Sequence, residues 1–209
     1  MRTRIKFCGC AAWADVDQAI AAGADAAGMI FADSPRRIDW DAAAEIAERI
    51  GSRIIPAGVF VNPSREEIAR ARALFPEMIV QLSGDETPEF VAGIEGAVIK
   101  AIHVDGDEDL GDLEASCNRY KSALAMFDTK SADAFGGTGR AFDWTKIAQI
   151  ARSRPVVVAG GLTPENVGAC VRTVRPAWLD VRSGIETSGR KDAGKMQRFI
   201  DAVRKSDAA

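Results

Sequence analysis

Metal-binding residues are scarce in this chain. It has one histidine, His103, and four cysteines that form no Cys-x-x-Cys pair. A zinc site built from cysteine and histidine therefore lacks enough ligands. Cys8 and Cys10 are too close in sequence for an unstrained disulfide. We expect reduced thiols and no structural metal.

Long apolar runs and basic clusters are also missing. The longest apolar runs have the length of a strand, far below the roughly 20 residues of a membrane span. The first six residues lack the apolar core of a signal peptide, and no Lys/Arg-rich run indicates nucleic-acid binding. The net charge of −3 suits an ordinary soluble surface. We expect a cytoplasmic protein with a small-molecule partner, and the sequence favours neither a monomer nor a homodimer.

The chain does contain a regular alternation of strand-like and helix-like segments. Its 209 residues are 47% hydrophobic, which suits one domain over residues 1–209 with a sizeable core. The predicted strands are 5–8, 26–31, 54–61, 78–82, 97–102, 123–127, 155–159 and 178–181. The predicted helices are 14–22, 41–50, one with Ser64 as its N-cap, 87–93, 109–119, 143–151, 164–174 and 190–204.

Local signals mark several helix ends. Gly23 is expected to end the first helix. Ser64 and Glu67 have the spacing of a capping box. Thr163 and Pro164 are typical of an N-cap and a first helical residue.

Strict alternation of strand and helix predicts a parallel sheet. A doubly wound open sheet is the alternative. The count of eight strands and the glycine-rich loops after the last strands favour a closed (β/α)8 TIM barrel. In that fold the C-terminal ends of all strands open onto one mouth, where active sites are built.

Glycine-rich loops follow strands six, seven and eight. Glycine lets backbone N–H groups approach an anion closely, although a single such loop is often only a tight turn. Three on one mouth predict a phosphate-binding site. Its predicted residues are Gly137, Gly139, Gly160, Gly161, Ser183 and Gly184. Neither GxGxxG nor GxxxxGK[ST] is present, so a phosphorylated sugar is favoured over ATP or NAD.

Two side chains at strand ends are candidates for acid–base chemistry. Cys8 would be the last residue of strand one, and Asp128 would emerge after strand six, obliquely across the mouth. A strand cysteine is often an inert core residue, and an aspartate after a strand often caps a loop. Together they could protonate and deprotonate a sugar between them. Lys6 could lower the pKa of the Cys8 thiol or pair with an acid in the barrel.

A series of short motifs runs in order from residue 4 to about residue 200. It includes Lys6-Phe7-Cys8-Gly9, Ser34-Pro35-Arg36, Val80-Gln81-Leu82, Ile99-Lys100-Ala101-Ile102, Gly136-Gly137-Thr138-Gly139, Ala159-Gly160-Gly161-Leu162 and residues 180–186. Together these motifs resemble the phosphoribosylanthranilate isomerase family of tryptophan biosynthesis, at that family's spacing.

The resemblance implies an Amadori rearrangement of N-(5-phosphoribosyl)anthranilate. Asp128 would be the general acid and Cys8, as a thiolate, the general base. Arg36 would hold the anthranilate carboxylate. Asp180 would contact the substrate, although a helix cap or an inward ion pair fits it equally well. The substrate supplies its own electron sink, so no cofactor is implied.

The chain departs from the family pattern at three places. Ser83 stands where the family usually has a histidine, and it cannot titrate near neutral pH. Arg182 replaces a small serine and could clamp an anion, pair with Asp180 or narrow the pocket. Cys10-Ala11 alters the first loop. Two alternatives therefore stay open: an isomerase of another phosphorylated aminosugar, and a non-catalytic phosphosugar-binding barrel. His103 is interpreted as a structural or surface residue.

Overall fold

The computed structural model describes residues 2–104, 108–129 and 144–208. Eight strands alternate with helices along the described chain. The strands are β1 Arg4–Cys8, β2 Ala26–Ile30, β3 Ile55–Phe60, β4 Ile79–Leu82, β5 Val98–Val104, β6 Leu124–Thr129, β7 Val157–Ala159 and β8 Trp178–Val181. The helices are α1 Trp13–Ala22, α2 Trp40–Ile50, α3 Arg65–Leu74, α4 Pro88–Ala92, α5 Leu110–Arg119, α6 Trp144–Ala151, α7 Val167–Val174 and α8 Ala193–Asp207.

The eight strands form a closed barrel in the order β1 to β8. All neighbours are parallel, and β8 closes the barrel by pairing with β1, where Lys6 is in register with Asp180. The closed order rules out the open doubly wound sheet and confirms the (β/α)8 TIM barrel. Strand ends that are distant in sequence therefore share one mouth.

Side chains on the strands alternate between two cores because the strand period is two residues. Ile5 and Phe7 of β1 belong to the large cluster between the sheet and the helices. Lys6 is in register with Ala26, which belongs to the smaller cluster that fills the barrel. Lys6 and Cys8 therefore point to the inside, and Cys8 lies nearer the mouth.

Several predicted helix ends are confirmed. Gly23 ends α1 with a φ of 87°, in the left-handed region that favours glycine. The Ser64 hydroxyl accepts a hydrogen bond from the Glu67 amide, and the Glu67 carboxylate accepts one from the Ser64 amide. This reciprocal pair is the predicted capping box of α3.

Several predicted boundaries are wrong by two or three residues, among them the end of β5, the end of β6, the start of β7 and the start of α7. β6 continues to Thr129, so Asp128 lies within the strand rather than after it. α7 begins at Val167 rather than 164, because the Asn166 side chain accepts a hydrogen bond from the Thr163 amide and holds a separate turn there. Thr163 is therefore not the N-cap.

The predicted helix 190–204 is wrong at both ends, since α8 ends at Asp207 and begins later than predicted. Two short strands, β9 Glu186–Thr187 and β10 Arg190–Lys191, form a hairpin before α8 begins at Ala193. Ser188 and Gly189 at its turn both have positive φ, 50° and 75°, as the turn of a two-residue hairpin requires. The hairpin places Lys191 in a strand.

Within the described ranges, no helix is long and apolar enough to cross a membrane.

Candidate active site

A cavity of about 240 Å³ opens at the C-terminal mouth of the barrel. Its lining comes from the ends of several strands and the loops that follow them. Residues in its wall include Cys8, Ser83, Asp128, Gly160, Gly161, Asp180, Arg182 and Ser183. The closed topology therefore brings together residues that span almost the whole chain.

Cys8 is the last residue of β1 and is only 6% exposed. Burial raises the pKa of its thiol above the ordinary value, and the charge of Asp180 raises it further. The charges of Lys6 and Lys191 act in the opposite direction. The Cys8 thiol therefore holds its proton more strongly than a free cysteine does.

Lys6 and Asp180 form an ion pair below Cys8. The Lys6 Nζ donates to Asp180 Oδ1 at 2.8 Å, and both side chains are buried. Burial alone would lower the pKa of Lys6, but the Asp180 charge and the hydrogen bonds raise it above its ordinary value. Of the roles open to Asp180, the structure has the inward ion pair, and its side chain also lines the cavity.

Asp128 reaches the same cavity from β6. Burial and the charge of Asp180 raise the pKa of its carboxyl, although His103, Arg182 and Lys6 oppose the shift. A carboxyl with a raised pKa stays protonated at a pH closer to neutral, which suits a proton donor. His103 is exposed on β5 in register with Asp128, and its Nε2 lies 3.0 Å from the Ser83 carbonyl oxygen.

The glycine-rich loops after β7 and β8 meet beside this cavity. Gly160 and Gly161 have φ of 84° and 59°, in the region that favours glycine. A Cβ on Gly184 would lie 1.9 Å from the Leu162 carbonyl oxygen, so no side chain fits there. Ser183 and Gly161 line both the cavity that contains Cys8 and Asp128 and an adjoining cavity of about 410 Å³, which Gly184 also lines. Gly137 and Gly139 lie outside the described residues.

Arg36 lies beside the cavity rather than in its lining. Its Nε is 3.0 and 3.1 Å from the two carboxylate oxygens of Glu186, and its Nη2 donates to the same carboxylate. Glu186 also accepts a hydrogen bond from Lys191 at 2.9 Å, and Lys191 donates to the carbonyl oxygen of Cys8. The hairpin therefore links Arg36 to the end of β1.

The strand–helix pattern does not reveal Glu186 and Lys191 as site residues. Lys191 falls in a segment that reads as the start of the last helix, where a lysine is normally a surface charge. The pair Ser188-Gly189 is the signal that could have indicated a hairpin, since both residues tolerate positive φ better than most.

The three departures from the family pattern have distinct surroundings. Ser83 lines the cavity, and its hydroxyl lies 3.3 Å from Nε2 of Gln81, a buried residue whose Oε1 has no hydrogen-bond partner in the part of the chain that is described. Arg182 is exposed and lines the cavity, while Asp180 is already paired with Lys6. The Cys10 thiol is buried and contacts the carbonyl oxygen of Phe7 at 3.6 Å.

Comparison with known proteins gives one consistent match. Residues 5–202 match the family model described as N-(5'-phosphoribosyl)anthranilate isomerase. The N-(5'-phosphoribosyl)anthranilate isomerase of Syntrophomonas wolfei is 40% identical over 203 residues, which cover 97% of this chain and 98% of that protein.

Solved structures agree with the sequence match. The crystal structure of phosphoribosyl anthranilate isomerase from Thermotoga maritima is similar with a TM-score of 0.85 and 35% identity, over 97% of this chain and 99% of that one. A second phosphoribosyl anthranilate isomerase structure, in complex with reduced 1-(o-carboxyphenylamino)-1-deoxyribulose 5-phosphate, has a TM-score of 0.83 and 33% identity over the same shares.

Proposed function

The chain belongs to the N-(5'-phosphoribosyl)anthranilate isomerase family, and from that premise we propose which residues perform the isomerisation. The reaction is the Amadori rearrangement of N-(5'-phosphoribosyl)anthranilate to 1-(2-carboxyphenylamino)-1-deoxyribulose 5-phosphate. It opens a sugar ring and moves a proton from carbon, so it requires one proton donor and one proton acceptor.

Asp128 is the proposed general acid. It protonates the ring oxygen of the ribose, which opens the ring and leaves a Schiff base with the anthranilate nitrogen. The raised pKa of its carboxyl supports this role, because the group is more often protonated than an ordinary aspartate. His103 and Arg182 limit that rise and keep the carboxyl able to release its proton.

Cys8 is the proposed general base. As a thiolate it removes the proton from C2 of the Schiff base, and the resulting enolamine tautomerises to the ketone. The proton that Asp128 gives and the proton that Cys8 takes balance, as an isomerisation requires. Since the pKa of the thiol is raised, we expect activity to increase with pH as Cys8 ionises.

Substrate binding is proposed to use the rest of the mouth. Gly160, Gly161, Ser183 and Gly184 bind the phosphate through backbone N–H groups, together with Gly137 and Gly139 of the loop outside the described residues. Arg36 binds the anthranilate carboxylate, and Glu186 holds its guanidinium in place. Ser83 and Asp180 contact the sugar from the cavity wall.

The observation that carries the proposal is that Cys8 and Asp128, 120 positions apart in number, line one cavity from β1 and β6. The test generates the labile substrate from anthranilate and phosphoribosyl pyrophosphate and follows the loss of its fluorescence. Cys8→Ala and Asp128→Asn should each lower kcat by roughly 10²- to 10⁴-fold with little change in KM.

Cys10→Ala is the matched control for the base. Cys10 is a buried thiol two positions away that does not line the cavity, so its removal should leave kcat close to that of the unmodified protein. Full turnover by folded Cys8→Ala or Asp128→Asn would reject that residue's role without changing the family assignment.

Two further expectations accompany this proposal. We propose that residues 1–209 act as one barrel domain, which the family match over residues 5–202 supports. We also propose a cytoplasmic location, supported by four cysteines that are all free thiols.

A further inference from the structure

Lys191 is a buried lysine that has no role in the proposed acid–base chemistry of Cys8 and Asp128. Its side chain is 3% exposed, and its Nζ donates to the carbonyl oxygen of Cys8 and to Glu186 at 2.9 Å. Burying a lysine costs free energy unless its charge is paired and hydrogen-bonded. The β9–β10 hairpin pairs the charge of Lys191 with Glu186 at the end of β1, the strand that bears the proposed base.

The other lysine near Cys8 provides little net positive charge. Lys6 is bound to Asp180 at 2.8 Å, and the two charges act on the thiol in opposite directions. The Lys6–Asp180 pair is therefore not a sufficient source of the positive charge that a thiolate needs.

The charged cluster at the β9–β10 hairpin consists of Arg36, Glu186 and Lys191, and its charges do not cancel as those of the Lys6–Asp180 pair do. Glu186 is one carboxylate shared by two cations, Arg36 and Lys191, so one positive charge remains in excess. Lys195 adds a further cation, since its Nζ donates to the backbone carbonyl of Glu186 at 2.6 Å. The carboxylate of Asp192 accepts hydrogen bonds from Thr187 and from the Lys195 amide, which turns it toward the start of α8.

We propose that Lys191 is a positioning residue for Cys8: it fixes the carbonyl group at the end of β1 and provides the net positive charge that stabilises the thiolate. This inference rests on the proposed role of Cys8 as the base. Glu186 couples the base to the carboxylate-binding Arg36, because it holds both cations.

Other charged groups also lie around Cys8, and the test has to separate them from Lys191. They are Lys6 on β1, Asp128 on β6, Asp180 and Arg182 at the end of β8, Arg36 after β2 and Glu186 on β9. Lys191→Met removes one charge and keeps all of these groups, and Glu186→Gln separately reports the effect of the carboxylate that Lys191 offsets.

The experiment measures the ionisation of Cys8 directly. Intact enzyme is treated with iodoacetamide across a range of pH, and the modification of Cys8 is followed by mass spectrometry of its peptide. Lys191→Met should move the midpoint of alkylation upward by on the order of one pH unit, as expected for loss of a nearby opposite charge. Lys191→Arg should restore the midpoint, because it keeps the charge.

Arg190→Met is the matched control. It removes one positive charge from the same hairpin, but the Arg190 side chain is exposed and belongs to the adjacent position of β10. Its alkylation midpoint should equal that of the unmodified protein. An equal upward shift in Arg190→Met and Lys191→Met would mean that general surface charge, not Lys191, controls the thiol.

Glu186→Gln provides a second and opposite test. It removes the carboxylate that offsets Lys191, so the midpoint of Cys8 alkylation should move downward. An unchanged midpoint in folded Lys191→Met overturns the proposal. If Lys191→Met does not fold, an unchanged or raised midpoint in Glu186→Gln overturns it instead.

Turnover separates this inference from the proposed base. In Lys191→Met, kcat should fall at neutral pH and recover as pH rises, with KM nearly constant, whereas a merely structural role would lower kcat at every pH. Full activity in Cys8→Ala would remove Cys8 as the base, yet the alkylation midpoints would still decide whether Lys191 controls its ionisation.

Discussion

Two buried lysine–carboxylate pairs lie on opposite faces of the barrel sheet. Lys6 and Asp180 pair at 2.8 Å inside the barrel, and Lys100 and Glu86 pair at 2.9 Å on the outside. Both lysines are almost fully buried, at 1% and 3% side-chain exposure. Their chemistry is the same, and only the face of the sheet differs.

The outer pair is surrounded by protein groups. Lys100 donates to the carbonyl oxygen of Gly84 at 2.6 Å, and Glu86 accepts hydrogen bonds from the amides of Asn62 and Gly84 at 2.9 and 3.1 Å. Tyr120 places its ring 5.3 Å from the Lys100 Nζ and donates its hydroxyl to the Glu86 carbonyl. This pair ties the loops after β3 and β4 to β5.

The inner pair is open to the cavity. Asp180 lines it, and the charges of Lys6 and Asp180 both act on the Cys8 thiol. Because backbone groups complete the outer pair and a cavity completes the inner one, we expect the outer pair to stabilise the fold and the inner pair to act on the Cys8 thiol.

The largest expected effect is on activity, from Lys6→Met. The variant removes the positive charge that opposes Asp180 beside the thiol, so the pKa of Cys8 rises further. We expect kcat to fall by an amount that approaches the roughly 10²- to 10⁴-fold contribution of a general base. Steady-state kinetics on protein with a native circular dichroism spectrum measures this loss, and an unchanged kcat would place Lys6 outside the chemistry.

Lys100→Met should instead act on stability. It leaves the Glu86 carboxylate buried without its cation, which typically costs about 3–5 kcal/mol. Urea unfolding measures the loss in the free energy of unfolding, while kcat of the folded fraction should stay close to that of the unmodified protein. A loss of kcat similar to that of Lys6→Met would erase the distinction between the two faces.

Replacing both partners of an ion pair should have a smaller effect than replacing its lysine alone. Replacing both partners of a buried ion pair by apolar residues is often neutral or stabilising by about 1–4 kcal/mol relative to the ion pair. Lys100→Met with Glu86→Leu should therefore recover both stability and activity. Lys6→Met with Asp180→Leu should recover stability alone, and recovered turnover in that variant would contradict the role of the inner pair.

The smallest expected effect is the acid dependence of the outer pair. Burial alone would raise the pKa of Glu86, but the hydrogen bonds from Lys100 and the Asn62 amide hold it below the ordinary value. A lowered folded-state pKa adds stability above the ordinary pKa of glutamate, and this stability is lost as the pH falls through the folded-state value.

The raised pKa of Lys6 has the opposite consequence. Its stability contribution is complete below the ordinary pKa of lysine and disappears only as pH rises through the higher folded-state value.

The lowered pKa of Glu86 can be tested by unfolding in urea at about pH 6 and about pH 3. The difference in the free energy of unfolding between the unmodified protein and Lys100→Met should be smaller at the acid pH. A difference that grows in acid would contradict the lowered pKa of Glu86.

Much of the fold could be predicted from the sequence. Apolar runs and helix-end signals such as the Ser64–Glu67 capping box involve neighbouring residues, and their free energies are local. The position of Cys8 at the end of β1 followed from the same pattern. The start of α8 could not be predicted, since the hairpin competes with a helix of similar local preference and is tied to Arg36 and Cys8 by distant contacts.

The sequence by itself determined the alternation of strands and helices, the candidate acid and base, and the glycine-rich loops. Only the tertiary structure decided which charges meet. The strand register made Asp180 the partner of Lys6, and the hairpin brought Glu186 to Arg36 and Lys191 to Cys8, across 150 and 183 positions of the chain. The physical reason is that ion pairs depend on separations of a few ångströms, and closure of the barrel sets those separations.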